Sequence, residues 1–396
     1  MTLASKPRPT TAEEVEAAVV DLVPLLRANA SLAEQQRSVP QENIDALEAA
    51  GVFRISTPRH HGGLELDLTA QVRILAAVAR GCGSTAWVCS LHSVASYFLG
   101  LFDDRAQDAV FTSPDVRSAS IFSPGGVLTP VEGGYRLTGR WPFNTGCRSA
   151  QWDTLAARLD DPAGGPPQML LCLVSMSDLT IEDDWHPSGL AGTGSNATVA
   201  KDVFVPSHWV LPLMGALTGT NLSAKTAGSP LYRAAFFPFV LVNSTGAPVG
   251  MAEGALDTFL ERLPGRKITY TNWVQSEAQV THIGVADAAV NIRAAKVLSH
   301  DLATRIGDAA REGRDLDVAE RAAMRAEAAH VVRLSRLAIE QLNSMSGASS
   351  IQSDVPIQRI FRDIEALTLH AALALNTNLE VHGRVLVGLD PATPFL

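Results

Sequence analysis

The segment Gly133–Gly146, GGYRLTGRWPFNTG, gathers residue types suited to holding a flat polar ligand. Trp141 and Phe143 offer aromatic faces, and Asn144, Thr145 and Gly146 follow as small residues with hydrogen-bonding groups. Gly133-Gly134 predicts a turn, Tyr135–Leu137 alternates as a strand does, and Thr138-Gly139 predicts a second turn, so a β-hairpin is expected here. A second segment, GLAGTGSNAT from Gly189, sets Thr193 and Ser195 among glycines that let backbone amides approach a phosphate or a ring edge. It lacks the lysine of a P-loop, and no helical pattern follows it. His92 lies in the apolar run GCGSTAWVCSLHSVASYFLGLF, where residue type alone leaves open a satisfied core histidine or a base beside a substrate. His60 and His61 have no Asp, Glu or Cys placed with them as a convincing metal set, so a structural loop role is expected.

Several elements are needed to position these groups. A chain of 396 residues is long enough for two or three domains, and 46% hydrophobic with 18% charged residues describes a globular protein. A formal net charge of −9 gives no basic field for nucleic acid or an anionic membrane. Cys82, Cys89, Cys147 and Cys172 form no CxxC pair, which predicts buried free thiols and a reducing, cytoplasmic setting. The N-terminal MTLASKPRPTTAEEVEAA has no apolar leader core, and no later stretch reaches eighteen uninterrupted apolar residues; neither secretion nor membrane spanning is expected.

Thr11 opens a capping-box pattern followed by Val15, Val19, Leu22, Val23 and Leu26 at helical spacing. Further helices are expected over 40–50 and 68–80, separated by a Pro- and Gly-broken loop. From 117 to 212, short apolar runs broken by Gly, Pro and Asp predict strands, and 213–230 reads as a linker-like loop. Four long Ala-rich segments then follow, the last running from Pro356 to Leu386, in the pattern of an antiparallel bundle. The expected organisation is an N-terminal helical domain (1–115), a central β domain (116–212) and a C-terminal helical bundle domain (213–396).

This order, together with GRWPFNTG, DDWHPSGLAGTGSNATVAKDVFVP and FRDIEALTLH, resembles the acyl-CoA dehydrogenase family over essentially the whole chain. The resemblance implies an α+β fold with a barrel-like β domain between helical domains. Many of those dehydrogenases carry a glutamate base nine residues after the Arg of an Arg-Asp pair in the last helix. Counting from Arg362-Asp363 reaches Ala371, which cannot take a proton; Glu253, on an earlier helix, is the alternative base. His370, the tail NTNLEVHGRVLVGLDP and STAWVCSLHSVASYFLGLF instead resemble the flavin-dependent two-component monooxygenases that share the fold.

That resemblance implies an oxygenase component hydroxylating an aromatic, phenolic or polycyclic substrate through a flavin C4a-hydroperoxide. Reduced flavin, FMNH2 in preference to FADH2, would come from a separate NAD(P)H-dependent reductase, with molecular oxygen as co-substrate. It assigns catalysis to His92, His370 and Thr145, with Thr145 near flavin N5. Trp141, Phe143, Asn144, Thr145, Thr193, Ser195 and Arg266 fall to the cofactor, Arg266 reaching phosphate across a subunit interface of a homotetramer. His92, Ser123 and Tyr97 fall to substrate, with Phe98 a further aromatic wall. An N- or S-oxygenase on the same fold and an acyl-CoA dehydrogenase are the alternatives.

Overall fold

The structure is a computed structural model that describes residues 8–396; residues 1–7, the start of the N-terminal segment read for an apolar leader core, lie outside the described residues. Helices α1 (Ala12–Ala28), α2 (Ala30–Gln36), α3 (Gln41–Ala49), α4 (Leu68–Gly81), α5 (Gly83–Leu99) and α6 (Asp104–Val110) come first. Strands β1 (Ser118–Val131), β2 (Gly134–Trp141), β3 (Trp152–Leu159), β4 (Gln168–Ser175), β5 (Thr180–Ile181), β6 (Thr198–Pro206) and β7 (Val210–Pro212) follow. Helices α7 (Leu213–Leu217), α8 (Phe236–Asn243), α9 (Gly246–Arg262), α10 (Gln279–Glu312), α11 (Val318–Met345), α12 (Pro356–Thr368) and α13 (Leu375–Leu386) complete the chain. The Thr11 capping box forms as its sequence predicts, with Glu14 N–H donating to Thr11 Oγ1 and the Glu14 carboxylate accepting from Thr11 N–H.

One apolar core runs from Val15 to Leu373 through both helical segments. The reason lies in the register of α9 on α4. A β-carbon on Gly246, Gly250 or Gly254 would come within 2.7, 2.0 and 2.7 Å of the Val72, Ala76 and Arg80 carbonyls. Glycine every fourth residue therefore lets two helix backbones touch, and dispersion contacts accumulate along the seam. The two helical regions are fused into one body rather than separated by the β domain.

The β domain is a mixed seven-stranded sheet in the order β5-β6-β2-β1-β3-β4-β7, with β1 and β3 parallel. Two sequence expectations change here. The hairpin joins β2 to the preceding strand β1 through Glu132-Gly133, and Thr138-Gly139 is an irregularity within β2 rather than a turn. Gly125, Gly126 and Gly139 leave a floor on which the Trp141 indole lies, so the glycines serve packing and the strand runs on.

Residues 213–230 are no loose linker. Thr226 donates to the Gly100 carbonyl at 2.6 Å, and Leu222 N–H to the Leu101 carbonyl at 2.9 Å, which ties the segment to the end of α5. The last expected helix is broken between Leu369 and Ala374 although Leu, Ala and His dominate there. Asn378 Nδ2 donates to the Ala372 and Ala374 carbonyls at 3.0 and 3.1 Å, giving the Ala372 carbonyl a partner in the break and bracing the first turn of α13. Arg325, buried on α11, fixes that amide by donating from Nε to Asn378 Oδ1 at 2.8 Å.

Candidate functional site

Helix α5 is the spine of the site. Its small residues let neighbours close in: a β-carbon at Gly83 would meet Met251 Sδ at 2.6 Å, and only Leu91 of the helix escapes full burial. Trp87 meets the His370 ring edge-on, 5.2 Å between ring centres. Further along, His92 lies against Gly146, where a β-carbon would come within 2.9 Å of the imidazole and φ is +76°. Glycine is required there by both backbone and space. One helix thus links the broken C-terminal helix to the Asn-Thr-Gly tip.

His92 is buried and its tautomer is fixed. The Ser118 carbonyl, 2.8 Å away, can only accept, so Nδ1 carries the proton and Nε2 a lone pair. Ser149 Oγ lies 3.0 Å from Nε2 and 3.1 Å from the Gly146 carbonyl, two acceptors for one hydroxyl proton. Burial pushes the His92 imidazole down to about 4, so the ring is neutral near pH 7. It offers a hydrogen-bond acceptor to a substrate hydroxyl more readily than a full proton sink.

His370 sits in the break between α12 and α13, and its ring makes no hydrogen bond among the described residues. Protein crowded around the ring lowers its pKa to about 4, while its exposure to solvent weakens that push; the ring is neutral near pH 7 in either case.

Thr145, Ser195 and Thr193 form a chain of hydroxyls. Thr145 Oγ1 lies 2.8 Å from Ser195 Oγ, which lies 2.8 Å from Thr193 Oγ1, which donates to the Leu190 carbonyl at 2.8 Å. Leu190 N–H donates to Asp363 Oδ1 on α12 at 2.6 Å, and a β-carbon on Gly189 would meet the Arg362 carbonyl at 2.1 Å. The Gly-rich segment therefore wedges between α12 and the tip, joining the three motifs singled out in the sequence. Thr145 itself is half-buried.

Other sequence candidates are placed differently. Trp141 is fully buried in the sheet core, its Nε1 donating to the Ala156 carbonyl at 2.7 Å, so it presents no face to a ligand. Phe143, at φ +61°, is exposed and meets Trp185 edge-on. Asn144 turns inward, donating to Asp153 and, at 2.8 Å, to Thr198 Oγ1. Tyr97 is buried among Phe98, Tyr232 and Phe239, its hydroxyl donating to the Ala234 carbonyl at 2.8 Å. Phe98 is likewise core, and Ser123 is exposed in a register shift of β1 with no bond to His92. Arg266 donates to the Ser346 carbonyl at 2.7 Å in its own protomer. His60 and His61 stack in a short turn against Phe111. All four cysteines are buried and free.

Glu253 is paired with Lys296 at 2.8 Å and lines a hollow of about 140 Å³ between α1, α4, α9 and α10. None of His92, Thr145 and His370 lines that hollow. Sequence reasoning missed Ser149, Trp87, Asn378 and Arg325, whose roles come from partners distant in the chain. Asp363 was visible only as half of an Arg-Asp pair.

The Asn144–Asp153 pair has a testable consequence. Burial raises the Asp153 carboxyl to about 7, against hydrogen bonds from Asn144 and Thr198 that lower it. A raised folded-state pKa adds stability that is full below the unfolded value near 4 and lost as pH rises through 7. Measured by urea unfolding, Asp153→Asn should therefore gain roughly 4 kcal/mol relative to wild type between pH 4 and 7. A constant difference across that range would show that Asp153 is ionised throughout.

Residues 12–111 match the family model described as acyl-CoA dehydrogenase, N-terminal domain, and residues 244–374 that described as acyl-CoA dehydrogenase, C-terminal domain. The chain is 33% identical over 376 residues to a pigment production hydroxylase of Rhodococcus sp. (strain ATCC 21145), covering 95% of this chain and 96% of the relative. It is also 33% identical over 390 residues to the FADH(2)-dependent resorcinol hydroxylase, oxygenase component, of Rhizobium sp. (strain MTP-10005), covering 94% of each. Among solved structures, XiaF from Streptomyces sp. in complex with FADH2 and glycerol aligns with a TM-score of 0.91 at 30% identity, covering 97% of this chain and 98% of that one.

Proposed function

Because the chain belongs to the acyl-CoA dehydrogenase family, we propose that it is a reduced-flavin-dependent monooxygenase, the oxygenase component of a two-component system that hydroxylates an aromatic, phenolic or polycyclic compound. The observation that carries this reading is the convergence of His92, the Thr145 tip and His370 along α5. The residues fit a flavin: a half-buried hydroxyl and an imidazole with no hydrogen-bond partner among the described residues are polar groups that a heterocycle can engage. Thr145, with Ser195 and Thr193 behind it, would hold the N5 edge of the flavin, and Arg266 and Phe143 would extend the site. When bound, reduced flavin would supply the two electrons that activate dioxygen, one atom of which enters the substrate while the other leaves as water. FADH2 is favoured over FMNH2, since the resorcinol hydroxylase and XiaF are both named with FADH2.

In this reading the chain's own residues orient and exclude. His92 Nε2 accepts the substrate hydroxyl in place of Ser149, whose proton turns to the Gly146 carbonyl. That bond draws electron density into the aromatic ring at its ortho and para carbons. His370 faces the reaction zone from the opposite element and hands a proton to or from oxygen. The dehydrogenase alternative gains no support, because Glu253 is held by Lys296 away from the cleft residues and Ala371 carries no acid.

A separate NAD(P)H-dependent reductase supplies the flavin. The subunits assemble as a homotetramer, for which α10 offers a face: Val280, Ile283, Val290 and Val297 are exposed, the last three at seven-residue spacing. Paired Ile283→Asp and Val290→Asp changes should reduce the sedimentation coefficient to that of a smaller species; an unchanged value would free this face of any role in assembly.

The test of function is to mix the protein with FADH2 or FMNH2, from a reductase and NADH, and a set of phenols under oxygen. Product is separated by chromatography, and hydrogen peroxide is measured alongside. A phenol converted with little peroxide supports the reading. Peroxide alone across every phenol, together with reduction of bound oxidised flavin by an acyl-CoA, would overturn it.

A further inference from the structure

We propose that Ser195 and Thr193 are positioning residues that fix the polarity of the Thr145 hydroxyl, making it solely a hydrogen-bond acceptor toward the cleft and so favouring reduced over oxidised flavin. The inference rests on the reading above, in which Thr145 meets the flavin N5 edge.

Each hydroxyl has one proton and two lone-pair positions. Thr193 Oγ1 gives its proton to the Leu190 carbonyl, which can only accept. The proton in the 2.8 Å contact between Thr193 and Ser195 must then come from Ser195. With that proton committed, the 2.8 Å contact between Ser195 and Thr145 takes its proton from Thr145. Thr145 therefore reaches the cleft with lone pairs alone. Among the described residues none of the three hydroxyls has another hydrogen-bond partner, so the direction is not diluted by a competing bond.

The origin of the chain is firmly held. Leu190 has φ +54°, a left-handed conformation that leucine rarely adopts, and its N–H is bonded to Asp363 at 2.6 Å. Thr193 and Ser195 are 2% and 4% exposed, which keeps bulk water from reversing the order of donors. A segment fixed by α12 thus dictates the polarity of a group on the β domain.

Flavin N5 carries a hydrogen in the reduced ring and a lone pair in the oxidised ring. An acceptor at Thr145 bonds the first and opposes the second lone pair to lone pair. One hydrogen bond made or lost separates the two states by about tenfold in affinity, which raises the midpoint potential of the bound two-electron couple by about 30 mV.

The test compares wild type with Thr193→Val, Ser195→Ala and Ser195→Thr under anaerobic conditions. Dissociation constants are measured for oxidised FAD by fluorescence and for FADH2 by ultrafiltration, and the midpoint potential of bound FAD by spectroelectrochemistry. Thr193→Val keeps the shape and the Ser195–Thr145 pair but releases the Ser195 proton, so Thr145 becomes free to donate. The preference for FADH2 should fall about tenfold, with oxidised FAD binding more tightly than in wild type. Ser195→Ala should move both readings the same way even if Thr193→Val does not fold, and Ser195→Thr should retain the wild-type preference. Equal weakening of both redox forms, or no change in either, would overturn the polarity role and leave the flavin reading intact. Wild type that binds neither form would overturn that reading and this inference with it.

Discussion

His92→Ala should lower the rate of aromatic hydroxylation by roughly 100-fold or more while oxygen consumption continues and ends as hydrogen peroxide. The substitution removes the only imidazole nitrogen whose lone pair is oriented by a fixed Nδ1–H bond to Ser118, so the substrate hydroxyl loses its acceptor. Ser149 remains, but a hydroxyl already drawn to the Gly146 carbonyl is a poor replacement. Product yield per NADH and peroxide accumulation are the two measurements. The pH dependence sharpens the expectation. His92 is held neutral down to about pH 4 by burial, and protonation is what would remove its acceptor. Hydroxylation by wild type should therefore show no acidic limb from this residue between pH 5 and 8. A limb centred near 6.5 that disappears in His92→Asn would mean that the ring is solvated and titrates ordinarily. Coupling left intact by His92→Ala would remove the residue from the substrate side altogether.

Arg325→Leu should lower stability by roughly 2 to 4 kcal/mol and should also uncouple the enzyme, although Arg325 touches no reacting group. Its guanidinium is buried on α11, donates to Asn378 Oδ1 and the Phe395 carbonyl, and lies 5.0 Å from the Phe237 ring centre. Without it the Asn378 amide loses its anchor, and with it the two side-chain bonds to the Ala372 and Ala374 carbonyls that hold the break just before α13. The segment Leu369–Ala374 is then free to continue as helix, which carries His370 away from Trp87. His370→Ala is the companion variant. It should raise peroxide release to a similar degree while leaving the urea midpoint unchanged, because an exposed ring with no hydrogen bond contributes little to folding. Two variants alike in coupling and unlike in stability would separate the group that acts from the group that holds it. If Arg325→Leu is destabilised but fully coupled, the helix break is held by something other than this residue.

Much of the architecture was legible in local pattern. Thr11 and Glu14 announced α1 because a capping box uses residues three apart. The four Ala-rich segments announced a helix bundle because their apolar residues recur at spacings of three and four. The three motif segments declared themselves through their resemblance to the acyl-CoA dehydrogenase family. The site was less legible. Trp141 and Phe143 look equivalent as ligand walls in the sequence, yet one lies on a glycine floor in the core and the other faces solvent. That choice is made where β2 ends at Trp141: beyond Pro142 the left-handed backbone at Phe143, φ +61°, takes the second ring out of the strand's alternation.

The sequence by itself determined the kinds of elements, their order and the presence of His92, Thr145 and His370, because helix, strand and turn preferences act between residues a few positions apart. Only the tertiary structure decided that Thr145 is ordered through Ser195, Thr193 and Leu190 to Asp363, and that a run of good helix formers stops at His370. Those outcomes rest on hydrogen bonds between groups as far apart in the chain as Leu190 and Asp363, or Arg325 and Asn378. Their geometry is fixed only once the helices and the sheet have packed.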